Sequence, residues 1–180
     1  MNRLGLSLLV AVVALISSFS ISAHAEYDSP AWIGGMYGLS VPSASHTNSR
    51  GMYGLTAGAK LGSEYGIGVY YLNSHNKESA GDFNYDLYGV EFGYHFEGEA
   101  KGAYFGGRLG TSKLKVTSGG FTSSTSPFHY GVFAGYNYFV GDHFSLGGEA
   151  GFMSVASSTD TNTIDGFTML NFLLTAKFWL

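Results

Sequence analysis

Hydrophobic and polar residues alternate with a period of two along most of the chain after residue 30. In the segment from Tyr88 to Phe96, aromatic or aliphatic side chains occupy every second position, and glycine, Glu91 and His95 occupy the positions between them. Side chains of a β-strand point alternately to its two faces, so this pattern predicts a strand with one apolar face and one small or charged face. Similar segments at 53–61 and 130–139 also carry the motif Tyr-Gly-x-x-x-Gly, which places these strands in one sheet.

Eight strands are predicted, at 31–41, 51–61, 66–73, 83–96, 103–116, 127–140, 144–156 and 166–180. The connections after the second, fourth and sixth strands are short. Those after the other strands are longer polar loops, including 74–82 and 117–126. An even number of strands with short turns at one end and longer loops at the other is typical of outer-membrane barrels. The pattern therefore predicts an all-β, eight-stranded, antiparallel up-and-down transmembrane β-barrel with both termini on the periplasmic side.

The first residues predict export. The segment from Met1 to Ala25 contains Arg3, then an apolar run, then Ser-rich residues that end in Ala-His-Ala. This is the architecture of a cleaved signal peptide, and the apolar run is short for an uncleaved membrane anchor. We therefore expect residues 26–180 to form the mature barrel domain in the outer membrane of a Gram-negative cell.

Composition narrows the class of protein. The 180 residues include 27 glycines, 13 tyrosines and 14 phenylalanines, and only 12% are charged. A soluble domain usually carries charge on about a quarter to a third of its surface. The absence of cysteine excludes disulfides and thiolate metal sites, and no basic patch indicates nucleic-acid binding.

Alternation alone does not say which face points inward, since a soluble lipocalin-like barrel would bury the apolar face. The opposite face is dominated by glycine, which makes a poor soluble surface but suits a narrow lumen. We therefore predict that the apolar side chains face lipid. Five aromatic residues near the periplasmic strand ends would form an interfacial girdle, although the last has inward parity: Tyr94, Tyr136, Tyr138, Phe178 and Trp179.

The inward face carries candidate lumen residues. By parity they are the charged residues Lys60, Glu91, Arg108, Glu149 and Lys177 and the polar residues His95, His129 and Asn137. If Phe96 pairs with Ala103, Glu91 lies directly opposite Arg108. Because unpaired buried ions are costly, we predict a lumen ion-pair network of Glu91, Arg108 and Glu149, with both lysines nearer the periplasmic rim. This network either fills the lumen as a structural element or acts as the gate of a small pore. The narrow interior of an eight-stranded barrel favours the structural role.

Other candidate chemistry lies near the outer rim. Lys113 and Lys115 have outward parity near the upper end of the fifth predicted strand. They would either bind lipopolysaccharide phosphates by charge or lie in solvent at the base of a loop. A lipid-modifying enzyme would need a nucleophile and a base, and His46, His75 and His129 are the histidines around the predicted loops. No nucleophile–base or metal-ligand spacing stands out, so we expect no catalytic residue, metal or cofactor.

The closing segment Ala-Lys-Phe-Trp-Leu (176–180) continues an apolar face to the last residue. With Trp-Ile-Gly-Gly-Met-Tyr-Gly (32–38), the 88–96 segment and Phe-Gly-Gly-Arg-Leu-Gly (105–110), it resembles the small eight-stranded outer-membrane β-barrel family that includes the OmpA transmembrane domain and OmpX-like proteins. Assembly machinery commonly reads such a final strand, here from Gly166 to Leu180, although Leu180 replaces the usual Phe.

This resemblance implies an integral outer-membrane protein, monomeric or weakly associating, whose lumen is filled by polar residues like the charged core of OmpA. The expected role is structural or in surface interaction, and a narrow gated channel and a lipid A-modifying enzyme are the alternatives. OmpX-like adhesins extend their strands well above the membrane. The loops predicted here are modest, which disfavours adhesion.

Overall fold

The computed structural model describes residues 31–43, 49–78, 81–96, 100–118, 121–157 and 166–180. The predicted signal peptide, from Met1 to Ala25, lies outside these ranges. These ranges contain nine strands: β1 Ala31–Pro42, β2 Arg50–Leu61, β3 Tyr65–Glu78, β4 Gly81–His95, β5 Gly102–Ser118, β6 Phe121–Thr125, β7 Phe128–Gly141, β8 Phe144–Val155 and β9 Phe167–Trp179. Within the described ranges, no helix is long and apolar enough to cross a membrane.

The strands form one closed antiparallel sheet. Each strand pairs with its neighbours in sequence, β1 pairs with β9, and β5 pairs with β4 on one side and with β6 and β7 on the other. β6 and β7 are two parts of one barrel strand, because both keep the same register on β5. The break falls at Pro127, which has no backbone N–H, although its carbonyl still accepts a hydrogen bond from the Ser112 amide at 2.7 Å. The prediction of an eight-stranded antiparallel barrel is therefore confirmed.

The seam between β1 and β9 runs along both strands, and one end of it lies at the end of the barrel with short turns. Trp32 pairs with Trp179, and the Leu180 amide donates to the Ala31 carbonyl at 2.9 Å. Gly62, in the turn between β2 and β3, has a φ of 79°, a conformation that glycine adopts without steric cost. Short turns mark the periplasmic end of such barrels, so both ends of the described chain lie there. We call this end lower and the opposite end upper.

The apolar side chains face outward, as predicted. Leu55 and Leu174 on the outer wall are 63% and 70% exposed, whereas Met52 and Leu87 inside are fully buried. Tyr136, Tyr138 and Phe178 are exposed near the lower rim, where an aromatic girdle is expected.

Trp179 does not belong to this girdle. Its side chain is 1% exposed and packs inside the barrel against Trp32, with ring centroids 5.6 Å apart. The strand parity, rather than the position near the rim, decides its direction.

Two predicted polar loops are largely strand. β3 continues to Glu78 and β4 begins at Gly81, with Lys77 opposite Asp82, and β5 and β6 fill most of the predicted loop 117–126. The hydrophobic alternation weakens along these segments, although the backbone pairing continues. The upper ends of β3, β4, β5 and β6 thus form a raised sheet, defined as residues 74–78, 81–85, 114–118 and 121–125. The expectation of modest loops above the membrane was wrong on this side of the barrel.

Candidate functional site in the barrel lumen

An ion pair between neighbouring strands lies midway along the lumen. Glu91 on β4 is the register partner of Arg108 on β5, and the hydrogen bond from the Phe96 amide to the Ala103 carbonyl, 3.2 Å long, belongs to the same register. The Nε of Arg108 donates to Oε2 of Glu91 at 2.9 Å, and Nη2 lies 2.8 Å from the same oxygen. Both side chains are buried.

Glu149 on β8 completes the cluster from across the lumen. Arg108 Nη1 donates to its Oε1, and Nη2 donates to its Oε2 at 3.1 Å, so the contact is bidentate. The hydroxyl of Thr56 donates to the remaining oxygen of Glu91. We call Glu91, Arg108 and Glu149 the ion trio; all four of its carboxylate oxygens have a hydrogen-bond donor.

Aromatic and sulfur groups enclose the guanidinium. Its carbon lies 4.4 Å from the ring centroid of Phe133 and 5.1 Å from that of Tyr70, and Nη2 lies 3.6 Å from the sulfur of Met36. Arginine suits this position because its planar group lies against aromatic rings while all three of its nitrogens form hydrogen bonds. The trio is thus a buried charge cluster with well-formed partners, which is the condition under which buried ions are tolerated.

Lys177 lies below the trio and contacts no member of it directly. Its Nζ lies 4.6 Å from the ring centroid of Tyr104 and 5.9 Å from that of Trp32. His95 also stacks on Tyr104, with centroids 5.5 Å apart. Within the described part of the chain, Lys177 forms no ion pair.

The tryptophan pair, Trp32 and Trp179, fills the lower lumen. The indole N–H of Trp32 donates to Thr56 Oγ1 at 3.3 Å, and that of Trp179 donates to Ser145 Oγ at 2.8 Å. The Trp32 ring lies on the glycine-lined inner wall, where a Cβ at Gly58 would be only 2.3 Å from Cζ2. Glycine at this position therefore lets the large ring fit inside a narrow barrel.

The remaining predicted lower-lumen residues are also buried. Lys60 is inside the barrel one residue before the end of β2. The side-chain amide of Asn137 on β7 donates to the Ala100 carbonyl at 3.1 Å, which holds the connection between β4 and β5 against the lumen.

The upper lumen contains a large apolar cluster, which differs from the expected polar filling, and buried polar residues such as Ser40, Arg50 and Asn171 lie beside it. We call the buried cluster there the apolar plug; it consists of Met36, Met52, Tyr70, Leu72, Tyr85, Leu87, Leu114, Met153, Val155, Met169 and Leu173. Every methionine except Met1 belongs to it. The sequence carried a signal for this plug, because these residues have inward parity on their strands. The prediction of a loop at 74–82 made β3 and β4 too short, and with them the part of the lumen that the plug residues fill.

His129 is embedded beside the plug. Its Nδ1 shares a 2.9 Å hydrogen bond with Ser112 Oγ, and its Nε2 is hydrogen-bonded to the Tyr70 hydroxyl. Both His129 and Ser112 are fully buried. Of the other histidines considered for catalysis, His46 and the side chain of His75 lie outside the described residues. The described residues contain no group of three His, Cys, Asp or Glu side chains placed to hold a metal.

Lys113 and Lys115 lie on the outer wall at the base of the raised sheet, and both are exposed. Lys113 pairs across the ladder with Asp86, whose Oδ1 accepts a hydrogen bond from the Tyr71 hydroxyl at 2.7 Å. Lys115 pairs with Asn84. Of the two lysines expected to form a basic surface, Lys113 therefore lies beside the carboxylate of Asp86.

Several solved barrels share this fold. The chain is 17% identical to Neisserial surface protein A (NspA), with a TM-score of 0.70 over 83% of this chain and 97% of that one. It is 16% identical to Ail, the attachment invasion locus protein of Yersinia pestis, with a TM-score of 0.56 over 82% and 97% of the two chains. The N-terminal β-barrel domain of Pseudomonas aeruginosa OprF is 13% identical, with a TM-score of 0.52 over 82% and 97%. Identities this low show a common fold and nothing finer.

No curated protein sequence matches the chain. The family model described as the outer membrane protein beta-barrel domain matches residues 11–178, which include almost the whole barrel. Its match agrees with the closed sheet and the lipid-facing apolar wall, and it assigns the protein to the outer membrane. The chain therefore belongs to the outer membrane protein beta-barrel domain family.

Proposed function

We propose that this protein is a closed outer-membrane barrel with a structural or surface-interaction role and no conducting pore. The observation that carries the proposal is the filling of the lumen at three heights: the tryptophan pair below, the ion trio in the middle and the apolar plug above. An eight-stranded barrel has an interior just wide enough for side chains.

The raised sheet supports the surface part of this role. It extends the barrel wall above the level of Asn73, Asp86 and Lys113 on one side. Paired strands hold this extension in a defined shape, so a partner outside the cell would meet a preformed surface rather than a loop that must be ordered on binding.

Planar-bilayer recordings of the purified, refolded protein test the closed lumen. A heat-modifiable gel shift first establishes that the barrel has formed. We expect no discrete openings from the folded protein at either polarity. Frequent openings of uniform size would contradict the proposal.

A narrow gated channel is the second candidate. The position of Lys177 below the trio favours it. If the Lys177 ammonium replaced Arg108 as the ion-pair partner of Glu149 or Glu91, the side chains that fill the lumen would rearrange. If the trio is a gate, Arg108→Ala will produce openings that the unaltered protein lacks. Under the closed-barrel proposal, the current stays at the unaltered level.

The contact between Ser112 and His129 is the feature that favours a lipid-modifying enzyme. Both residues are fully buried, so we propose that they are structural. A serine-directed fluorophosphonate should therefore not label the folded protein. Labelling that disappears in Ser112→Ala, or a lipid A modification lost in His129→Ala, would establish the enzyme instead.

The proposed partners follow from two surfaces. Lys113 and Lys115 would bind lipopolysaccharide phosphates at the outer-leaflet level, because lysines near anionic lipid headgroups attract them. The final strand, from Gly166 to Leu180, would engage the outer-membrane assembly machinery. We propose that the assembled protein is monomeric or weakly associating.

A further inference from the structure

We infer that the apolar plug, rather than the ion trio, is the seal of this barrel, and that the lower lumen holds water up to the trio. The inference rests on the proposed closed lumen and says which layer closes it. The apolar plug would then close the lumen above a wet periplasmic half.

The seal is a cluster of buried, carbon-rich side chains. Leu72 on β3 and Leu87 on β4 are register partners, and both are fully buried together with Met52 and Leu114. A dry apolar constriction stops ions and water because neither finds a hydrogen-bond partner within it.

The polar groups beside the plug do not provide a continuous path through it. Both ring nitrogens of His129 are occupied, by Ser112 and by Tyr70. Ser40 on β1 and its register partner Asn171 on β9 bring unpaired side-chain oxygens to this height, but Leu173 lies between Asn171 and Thr175 on the inner face of β9. Apolar side chains therefore separate the upper polar groups from the lower lumen.

The lower lumen has the opposite character. Among the buried polar atoms of the described lower lumen, His95 Nδ1 and Asn137 Oδ1 have no hydrogen-bond partner. The ammonium of Lys177 faces aromatic rings alone and has three N–H groups to satisfy. Buried polar groups are hydrogen-bonded in native proteins, and internal water supplies the bond where protein does not.

There is also room for water in this half. A Cβ added to Gly93, which lies on the inner face between Glu91 and His95, would find its nearest neighbour 3.9 Å away. Other inward glycines, such as Gly58 and Gly106, are covered at less than 3 Å. The open space adjoins the polar atoms that need partners.

Ion flux through vesicles containing purified protein tests which layer is the seal. Leu72→Ser with Leu87→Ser makes the plug polar and should raise the flux about tenfold or more over the unaltered protein, because a polar constriction admits water. Glu91→Gln, Arg108→Gln and Glu149→Gln together remove the trio's charges at nearly constant volume and should leave the flux unchanged. Leu55→Ser with Leu174→Ser, on the lipid-facing wall, controls for general loosening and should also leave it unchanged.

Each result has one meaning once a heat-modifiable gel shift shows that the variant has folded. Flux through the triple glutamine variant, or no flux through the plug variant, overturns the inference while the closed barrel stands. Flux through the unaltered protein at the level of the plug variant overturns the closed barrel itself.

A high-resolution crystal structure provides a measurement that needs no variant. We expect ordered waters bonded to Lys177 Nζ and His95 Nδ1 and none among Met52, Leu72, Leu87 and Leu114. A dry lower lumen, or a file of waters through the plug, would contradict the inference.

Discussion

Glu91 and Arg108 face each other across the ladder between β4 and β5, and the guanidinium Nε donates to the carboxylate Oε2 at 2.9 Å. Because Arg108 also binds Glu149 in a bidentate contact, one cation ties β4 and β5 to β8 on the other side of the lumen. A one-residue slip of either strand would turn these ions toward lipid, so the trio selects the register as well as filling the lumen.

Loss of the arginine should be strongly destabilising. Arg108→Met leaves two buried carboxylates without their cation, and removing one partner of a buried ion pair costs about 3–5 kcal/mol. Urea unfolding of the refolded protein in detergent or lipid measures the free energy of unfolding. Lys113→Met, on the exposed outer wall, should change it by less than about 0.5 kcal/mol. A loss below 1 kcal/mol for Arg108→Met would mean that the trio does not hold the barrel as described.

Gly58 and Gly148 provide a matched pair of glycine-to-alanine variants, because a Cβ would meet close neighbours at the first and none at the second. Gly58→Ala places a methyl group against the Trp32 ring and the Ile67 carbonyl, and overpacking of this kind costs about 1–3 kcal/mol. Gly148→Ala, on the lipid-facing wall, meets nothing within 4 Å and should be neutral or slightly stabilising.

Tryptophan fluorescence provides a second comparison of the two glycine variants. Trp32 and Trp179 are the chain's two tryptophans, and both lie in the lumen. Gly58→Ala should shift the emission and Gly148→Ala should not. Equal stability of the two variants would show that the Trp32 ring is not held against this wall.

The seam should depend on the last two residues. Deleting Trp179 and Leu180 removes the bonds that join the end of β9 to β1 and His143, and it shortens the ladder that closes the barrel. We expect this truncated chain to lose the heat-modifiable folded form and to be depleted from the outer-membrane fraction. Trp179→Phe keeps an aromatic ring but loses the hydrogen bond to Ser145, so it should assemble and lose about 1 kcal/mol of stability. Normal assembly of the truncated chain would refute the role given to the seam.

The outer lysines should contribute to lipopolysaccharide binding by charge. Lys113→Gln with Lys115→Gln should weaken binding to lipopolysaccharide vesicles by about 1 kcal/mol per lysine at low salt. The difference should shrink as salt is added, because these side chains are exposed and screened. Lys101→Gln, an exposed lysine at the opposite end of the barrel, is the control and should have no effect. Equal binding by the double variant and the unaltered protein would remove this surface from the proposal.

Much of the architecture follows from sequence because it depends on local rules. Alternation in segments such as 88–96 marks strand faces, and the alternating lengths of the connections set the number and direction of strands. The same parity, with Phe96 assumed to pair with Ala103, predicted that Glu91 lies opposite Arg108. It also gave Trp179 an inward direction despite its position at the rim.

Tertiary structure decided what parity leaves open. Sequence parity names the inward residues but not the height at which each side chain ends, since that depends on strand tilt and on how far a long side chain reaches across the lumen. Lys177 therefore shared a parity class with Arg108 but contacts aromatic rings instead of carboxylates. The apolar plug and the raised sheet likewise emerged only when the strands were paired, because backbone hydrogen bonding continues where the hydrophobic alternation has already weakened.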